Sequence, residues 1–350
     1  MDRNELKGHV QTVRGLVAPE QLGPTMMHEH LLIDLRPIFD EHKEHGERAL
    51  GHARMTLENL SWVCMNWCRN LDNLLLDDVD LAVKEALLFK HAGGSTIVDV
   101  TNVGLKRDPV ALRSIAERTG LHVVMGCSYY HALFHPPEMD AKTEQEICEE
   151  IVRDIAEGVD GTGVKAGIIG EIGCSSPMRD NEAKVLRGSA RAQHETGAPI
   201  TIHPGRDVAS PFEIMDILEA AGADPRRVVM GHMERTGLER SRLRDLARRG
   251  CYLEYDWFGE VRPTWPYGRV DVPSDGERIK TIAGIFEDGF GEQVLLSQDV
   301  CFKTRLASYG GPGYGHIIKY VTEWMRVLGI TAEQIDDMIV TNPRRILQFV

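Results

Sequence analysis

Two histidines, His28 and His30, flank a single glutamate in the apolar segment TMMHEHLLI. Alternate residues of a β-strand share a face, so a strand here would point both imidazoles the same way and Glu29 the opposite way. Paired imidazoles are frequent zinc ligands. The pair does not define a site by itself, because packed or surface histidines would produce the same pattern.

Further side chains of the same chemical kind follow at regular intervals. They end four apolar segments later in the chain: Glu171, His203, His232 and Asp299. The intervals are 32 residues (171 to 203), 29 (203 to 232) and 67 (232 to 299). A βα unit of a barrel takes about 30 residues, so these intervals correspond to one, one and two units.

This register predicts that all six side chains lie at one end of a barrel, the end that carries the active site in such folds. Each residue alone could be a helix cap or a packed core side chain. Together they predict a site for two divalent ions, and imidazole and carboxylate ligands without a thiolate favour Zn²⁺, with Mn²⁺ or Co²⁺ as substitutes.

Short β-branched segments alternate with longer helical patterns along the whole chain. The predicted strands are 25–33, 95–101, 122–129, 165–172, 199–204, 227–233, 252–257 and 294–299. The predicted helices between them are 78–92, 108–119, 141–157, 181–196, 211–221, 239–249 and 277–289, and 316–350 is expected to close the fold. Apolar strands that alternate with helices predict a parallel sheet, and eight such units predict a (β/α)₈ TIM barrel.

The segment 36–77 breaks this alternation between the first two strands and is predicted to be a helical insertion that caps one end of the barrel. No linker composition interrupts the chain, so residues 1–350 are expected to form one domain.

Composition sets limits on the partners and the compartment. The net charge of −13 argues against nucleic acid and against an anionic membrane surface as partners. The sequence has no apolar run of the roughly 20 residues that a membrane span needs, and its start lacks the apolar core of a signal peptide. Seven cysteines without paired spacing are typical of reduced thiols, so we expect a cytoplasmic protein.

Longer motifs carry a resemblance to a known family. The segments are MMHEHLLIDL, GVKAGIIGEIGCS, PITIHPGR, VVMGHMERT, CYLEYDWFG and LLSQDVCFKTRL, followed by YGGPGYGHI. The sequence resembles the phosphotriesterase family of the amidohydrolase superfamily, within its phosphotriesterase-related branch, over nearly the whole chain.

The resemblance implies that His28, His30 and Asp299 hold the more buried metal and that His203 and His232 hold the more exposed one. It implies that Glu171 bridges both, where the phosphotriesterase itself uses a carboxylated lysine. It further implies hydrolysis of N-acetyltaurine to taurine and acetate, and a possible homodimer. The proton relay of the phosphotriesterase is replaced by Arg235 and Trp257, which argues against organophosphates as the main substrates.

Two metals can activate water at neutral pH and polarise a carbonyl group, with Asp299 as the expected proton acceptor. Substrate selection then depends on side chains beside the same rim. The candidates are Arg206, Arg235, Lys303 and Arg305, which favour a small anionic substrate, and Tyr130, which could line the acyl pocket.

Two alternatives stay open at this stage. A lactonase or carboxylesterase could use the same metal centre, and it would tolerate loss of the loop cations. A non-catalytic barrel that serves as a binding protein would require a missing ligand, whereas all six are present.

Overall fold

Eight parallel strands form the centre of the molecule in the computed structural model, which describes residues 3–262, 264–265 and 270–350. They are β1 (Thr25–Glu29), β2 (Thr96–Asp99), β3 (His122–Cys127), β4 (Ile168–Gly173), β5 (Ile200–His203), β6 (Val228–Met230), β7 (Tyr252–Tyr255) and β8 (Val294–Leu296). Each strand pairs with the next one in the chain. The sheet closes where the Asp299 amide donates to the His28 carbonyl at 3.1 Å and the His28 amide donates to Ser297 Oγ at 2.9 Å.

Helices follow the strands and cover the outside of the sheet. They are α1 (Val79–His91), α2 (Pro109–Thr119), α3 (Glu144–Ala156), α4 (Asp180–Thr196), α5 (Ser210–Ala220), α6 (Arg240–Arg248), α7 (Asp275–Glu287) and α8 (Thr322–Val327). The predicted (β/α)₈ barrel is confirmed.

The bounds of these helices follow from local capping. The Asp78 side chain accepts hydrogen bonds from two amides in the first turn of α1. Thr143 and Glu146 form a reciprocal capping box at the start of α3. Gly120 and Gly197 end α2 and α4 with φ of 70° and 75°, a conformation that glycine adopts without a Cβ clash.

A compact apolar cluster fills the barrel. It takes one buried residue from each of seven strands: Met27, Val98, Val124, Ile168, Val229, Tyr252 and Leu295. Residues from so many strands meet only where the strands face one another, so this cluster lies inside the barrel. Glu254 follows Tyr252 by two positions and therefore shares its inward face. The carboxyl ends of the strands thus carry polar side chains above an apolar floor.

The segment 36–77 consists of short helical pieces. These are Arg36–Ile38, His45–His52, Leu60–Met65 and Trp67–Arg69, and the strand Leu75–Leu76 pairs with Ile33–Asp34. The loop after β8 holds the segment in place. The Lys303 amide donates to the Asn73 carbonyl at 3.1 Å, and the Thr304 amide donates to Asn73 Oδ1 at 2.9 Å.

Further elements lie at the ends of the chain and after β7, in addition to single helical turns in the loops. They are the helix Arg3–Leu6, the hairpin Val10–Thr12 with Gly15–Val17, the antiparallel pair Thr264–Trp265 with Val270–Asp271, and the C-terminal helical turns Ile317–Val321, Ala332–Asp336, Asp337–Thr341 and Asn342–Leu347. Among the described residues, no helix has the length and apolar character required to cross a membrane.

Candidate metal centre

The six predicted ligands meet at the carboxyl ends of the strands. His28 belongs to β1, Glu171 to β4, and His203 is the last residue of β5. His232 and Asp299 lie just beyond their strands in the left-handed region, with φ of 52° and 50°. The backbone turns sharply at both positions, and this directs the side chains back over the barrel.

Glu171 occupies the middle of the group. Its Oε2 atom lies 3.3 Å from His28 Nε2 and 2.7 Å from His203 Nδ1. Its Oε1 atom lies 3.3 Å from His30 Nε2. His232 Nε2 is also only 3.6 Å from Oε2. The four imidazoles therefore surround one carboxylate.

Asp299 lies beside His30 at one edge of the group. Its Oδ1 atom is 3.4 Å from His30 Nε2, and its Oδ2 atom accepts a hydrogen bond from Trp257 Nε1 at 3.2 Å. The donor atoms of His28, His30 and Asp299 lie within 4.8 Å of one another, as do those of His28, Glu171 and His232.

Outer partners orient two of the imidazoles. His232 Nδ1 donates to Asp256 Oδ1 at 2.6 Å. His30 Nδ1 donates to Thr101 Oγ1 at 2.9 Å, because that hydroxyl gives its own proton to the Leu32 carbonyl. With the proton of the neutral ring on Nδ1, Nε2 of each ring would be free to bind a cation at the centre of the group. This is the usual arrangement around histidines that bind a metal.

The group fits a divalent cation. Both ring nitrogens of His28 are buried and make no well-aligned hydrogen bond among the described residues, although carboxylate oxygens of Glu171 and Asp256 lie 3.3 and 3.4 Å away. A buried polar atom without a partner is costly, and coordination would remove that cost. Burial opposes a charge on His28, yet the carboxylates of Glu171 and Asp256 raise its pKa well above its usual value. The position therefore favours positive charge.

The two carboxylates are held ionised. Burial opposes the charge of Glu171, but the nearby His28 and His203 lower its pKa well below the usual value. Burial likewise opposes the charge of Asp299, and the nearby His30, His28 and His232 together outweigh that effect and lower its pKa. Both side chains thus have the charge that a cation requires.

Two adjoining cavities open above the group. The inner chamber, of about 110 Å³, contains Glu171 and Asp299 in its wall. The outer chamber, of about 700 Å³, is lined by the loops after β4 and β5. Six residues line both chambers and mark their junction: Ile38, Trp67, His131, His203, Arg206 and Arg235.

Of the predicted substrate residues, Arg206, Arg235, Arg305 and Tyr130 line the inner chamber. Burial and the neighbouring Arg235 lower the pKa of Arg206 to about 9, so it stays charged at neutral pH. Burial, together with the charge of Glu171, raises the pKa of Tyr130, and its hydroxyl lies 3.1 Å from His203 Nδ1.

Arg305 and Lys303 each have a carboxylate partner within the protein. Arg305 donates to the carbonyls of Phe258 and Gln298, and its Nη1 lies 3.4 Å from Glu260 Oε2. Lys303 Nζ forms an ion pair with Asp72 Oδ1 at 2.6 Å, and Lys303 is not among the described residues that line either chamber. The structure therefore does not bring Lys303 to the site.

Several residues at the site were not predicted from the sequence. They include Glu254 and Asp256 below the imidazoles, and His131, Trp67 and Phe302 in the chamber walls. The alternation in YLEYD contained a usable signal, because Glu254 and Asp256 share one strand face as His28 and His30 do. The aromatic residues had no such signal, since their positions depend on loop packing.

The chain belongs to the phosphotriesterase family, whose sequence model matches residues 8–347. A Homo sapiens protein named N-acetyltaurine hydrolase is 40% identical over 348 residues, which cover 99% of both chains. A resiniferatoxin-binding protein from Rhodobacter sphaeroides superposes with a TM-score of 0.95 at 37% identity, covering 99% of this chain and 98% of that one. A lactonase from Listeria monocytogenes gives a TM-score of 0.80 at 26% identity, covering 98% and 99%.

Proposed function

We propose that this protein hydrolyses a small anionic N-acyl amide, N-acetyltaurine, to taurine and acetate. One observation carries the proposal: the guanidinium groups of Arg206 and Arg235 line the same small chamber as Glu171 and Asp299. A half-buried and a buried arginine beside a hydrolytic centre suit a substrate with an anionic group a short distance from the scissile bond. The name of the human relative and its 40% identity over nearly the whole length support the same substrate.

The centre would hold two divalent ions, and its imidazole and carboxylate donors suit Zn²⁺. His28, His30 and Asp299 would hold one ion, His203 and His232 the other, and Glu171 would contact both. When bound, such ions supply Lewis acidity for the carbonyl group and lower the pKa of a water molecule.

Asp299 is suited to move the proton. Its Oδ2 atom accepts a hydrogen bond from Trp257 Nε1, which fixes the carboxylate plane. An amine leaves an amide only when it gains a proton, so the proton that Asp299 takes from water would be delivered to the nitrogen of taurine. The Tyr130 hydroxyl, held protonated by its raised pKa, can donate a hydrogen bond to the substrate from the chamber wall.

A parallel assay tests this function. Zinc-loaded protein is given N-acetyltaurine, an acyl-homoserine lactone and paraoxon under the same conditions. We expect N-acetyltaurine to have the highest kcat/KM of the three. A higher kcat/KM for the lactone would overturn the amide assignment and leave the metal centre unaffected.

A lactonase is the second candidate. The similarity to the Listeria monocytogenes lactonase favours it, because the barrel is shared over nearly the full length of both chains. Arg206 and Arg235 argue against it, since a neutral lactone has no anionic group for a guanidinium to bind. A carboxylesterase would meet the same objection, and a non-catalytic binding protein would not require the complete set of ligands.

Three further assignments accompany the proposal. Residues 1–350 would form one domain, which the continuous apolar core supports. The protein would act in the cytoplasm, in keeping with its seven cysteines, all of which are free thiols. It would form a homodimer, for which the exposed apolar side chains Val261, Trp324 and Val327 offer a surface.

A further inference from the structure

The inner chamber is the smaller of the two cavities, at about 110 Å³ against about 700 Å³ for the outer one. Half of the side chains in its wall are apolar, and they include Ile33, Leu35, Trp67, Phe134 and Phe302. A substrate bound here has less space around its scissile group than around any part that reaches the outer chamber.

The positions of the charged groups orient the substrate. The scissile carbonyl must lie near Glu171 and Asp299, which line only the inner chamber, whereas Arg206 and Arg235 stand at its junction with the outer chamber. An anion on the amine side therefore directs the amine toward the junction. The acyl chain is left to face the apolar wall.

Two aromatic rings belong to that wall, and one of them, Trp67, extends from it to the junction. Trp67, from the segment 36–77, and Phe302, from the loop after β8, have ring centroids 4.6 Å apart and are both buried. The Arg262 guanidinium lies 5.3 Å from the centre of the Trp67 ring and packs against it. The rings come from segments far apart in sequence, so their separation depends on how those segments are fastened together.

The fastening lies directly beside the rings. Lys303 Nζ pairs with Asp72 Oδ1 at 2.6 Å, and the Lys303 and Thr304 amides donate to Asn73. The Asn73 side chain in turn donates to the Trp67 carbonyl at 2.8 Å. One continuous set of hydrogen bonds thus joins the residue after Phe302 to the backbone of Trp67.

We propose that Trp67 and Phe302 set the length of the acyl chain that the enzyme accepts, and that the Lys303–Asp72 ion pair holds these rings at a fixed separation. The inference rests on the proposed amide hydrolysis and deepens it. Phe302 and Trp67 contact the substrate as specificity-determining residues. Lys303 acts through them as a positioning residue.

The test uses N-acetyltaurine, N-butyryltaurine and N-hexanoyltaurine with the metal-loaded, full-length protein. An added methylene that does not fit an apolar pocket changes kcat/KM by roughly 10- to 200-fold. We therefore expect the wild type to discriminate steeply against the longer chains. In Phe302→Ala, the kcat/KM ratio of the hexanoyl to the acetyl substrate should rise by at least roughly tenfold.

Matched variants distinguish a specific effect of the Trp67 and Phe302 rings from a general loss of packing around the site. Leu133→Ala removes similar apolar bulk from the outer chamber, where Leu133 is 59% exposed, and should leave the acyl-chain ratio unchanged. Lys303→Met should raise the ratio less than Phe302→Ala does, and Lys303→Arg should restore it. Far-UV circular dichroism shows whether the Phe302→Ala variant folds. If it does not, Phe302→Leu provides a milder change. We expect the Phe302→Leu variant to accept the butyryl substrate.

Comparable kcat/KM for acetyl and hexanoyl substrates in the wild type would overturn the inference. An unchanged ratio in folded Phe302→Ala or Phe302→Leu protein would do the same. If the wild type hydrolyses none of the three amides, the proposed function fails first, and that result is visible before any variant is compared.

Discussion

Substitution of Arg235 is the sharpest test of whether the substrate carries a negative charge. The Arg235 side chain is only 2% exposed, its Nη2 donates to the Pro204 carbonyl at 2.6 Å, and its guanidinium carbon lies 5.8 Å from the centre of the Trp257 ring. Its Nε is buried and has no hydrogen-bond acceptor among the described residues. An anionic group of the substrate would supply that acceptor.

The size of the effect follows from this geometry. Hydrogen bonds to charged groups contribute about 1.5–3 kcal/mol, and every 1.4 kcal/mol corresponds to a factor of ten. Arg235→Met should therefore lower kcat/KM for N-acetyltaurine by roughly 10- to 150-fold. The loss should appear in KM if the anion is held equally in the ground and transition states, and in kcat as well if the contact orients the amide.

The assay compares N-acetyltaurine with the neutral N-acetylpropylamine. The wild type should process the neutral amide poorly, and Arg235→Met should barely alter its kcat/KM. Arg226→Met is the matched control, because Arg226 is a surface arginine that pairs with Asp224 through a side chain that is 82% exposed. Equal kcat/KM for the two amides in the wild type would refute the role of charge and favour the lactonase alternative.

The structure supports three more predictions. Because Glu171 is already a carboxylate, metal reconstitution of the apoprotein should restore activity equally with and without bicarbonate; a strong dependence would indicate a carboxylated lysine such as Lys165. Asp256→Asn weakens the acceptor of the His232 hydrogen bond, so metal affinity measured by chelator competition should fall about 10- to 100-fold; unchanged affinity would contradict this. Arg278→Met removes a fully buried cation from its carboxylate partners, and urea denaturation should show the free energy of unfolding lowered by about 3–5 kcal/mol; a loss under about 1 kcal/mol would show that the pair is dispensable.

Most of the helices and strands were predictable from the sequence, because the local pattern of apolar residues determines which side of each element is buried. The helix predicted at 78–92 forms at Val79–His91, and the one predicted at 181–196 forms at Asp180–Thr196. Capping residues and glycines mark these ends within a few positions. Seven of the eight strands were predicted too long at their carboxyl ends. For example, 294–299 contains a ladder only at Val294–Leu296, because the backbone turns at Asp299 to direct its carboxylate inward.

The candidate site was predictable where the barrel register controls it. His203 and His232 lie at the site because each follows the carboxyl end of a barrel strand. The spacing of about 30 residues per βα unit identifies those strands in the sequence. The chamber walls depend instead on contacts between distant loops. The pairing of Lys303 with Asp72 joins residues 231 positions apart, and no periodicity in the sequence encodes it. Lys303 was accordingly expected at the substrate, and the structure instead pairs it with Asp72.

Glu171 and the five side chains around it are proposed to hold two divalent ions, and metal analysis of the purified protein tests this most directly. Inductively coupled plasma mass spectrometry, combined with a protein concentration from amino-acid analysis, gives the number of ions per chain. We expect close to two ions per chain in the wild type. We expect fewer ions and no turnover in His203→Ala, with an unchanged far-UV circular dichroism spectrum. A wild-type protein with one tightly bound ion and full activity would contradict it.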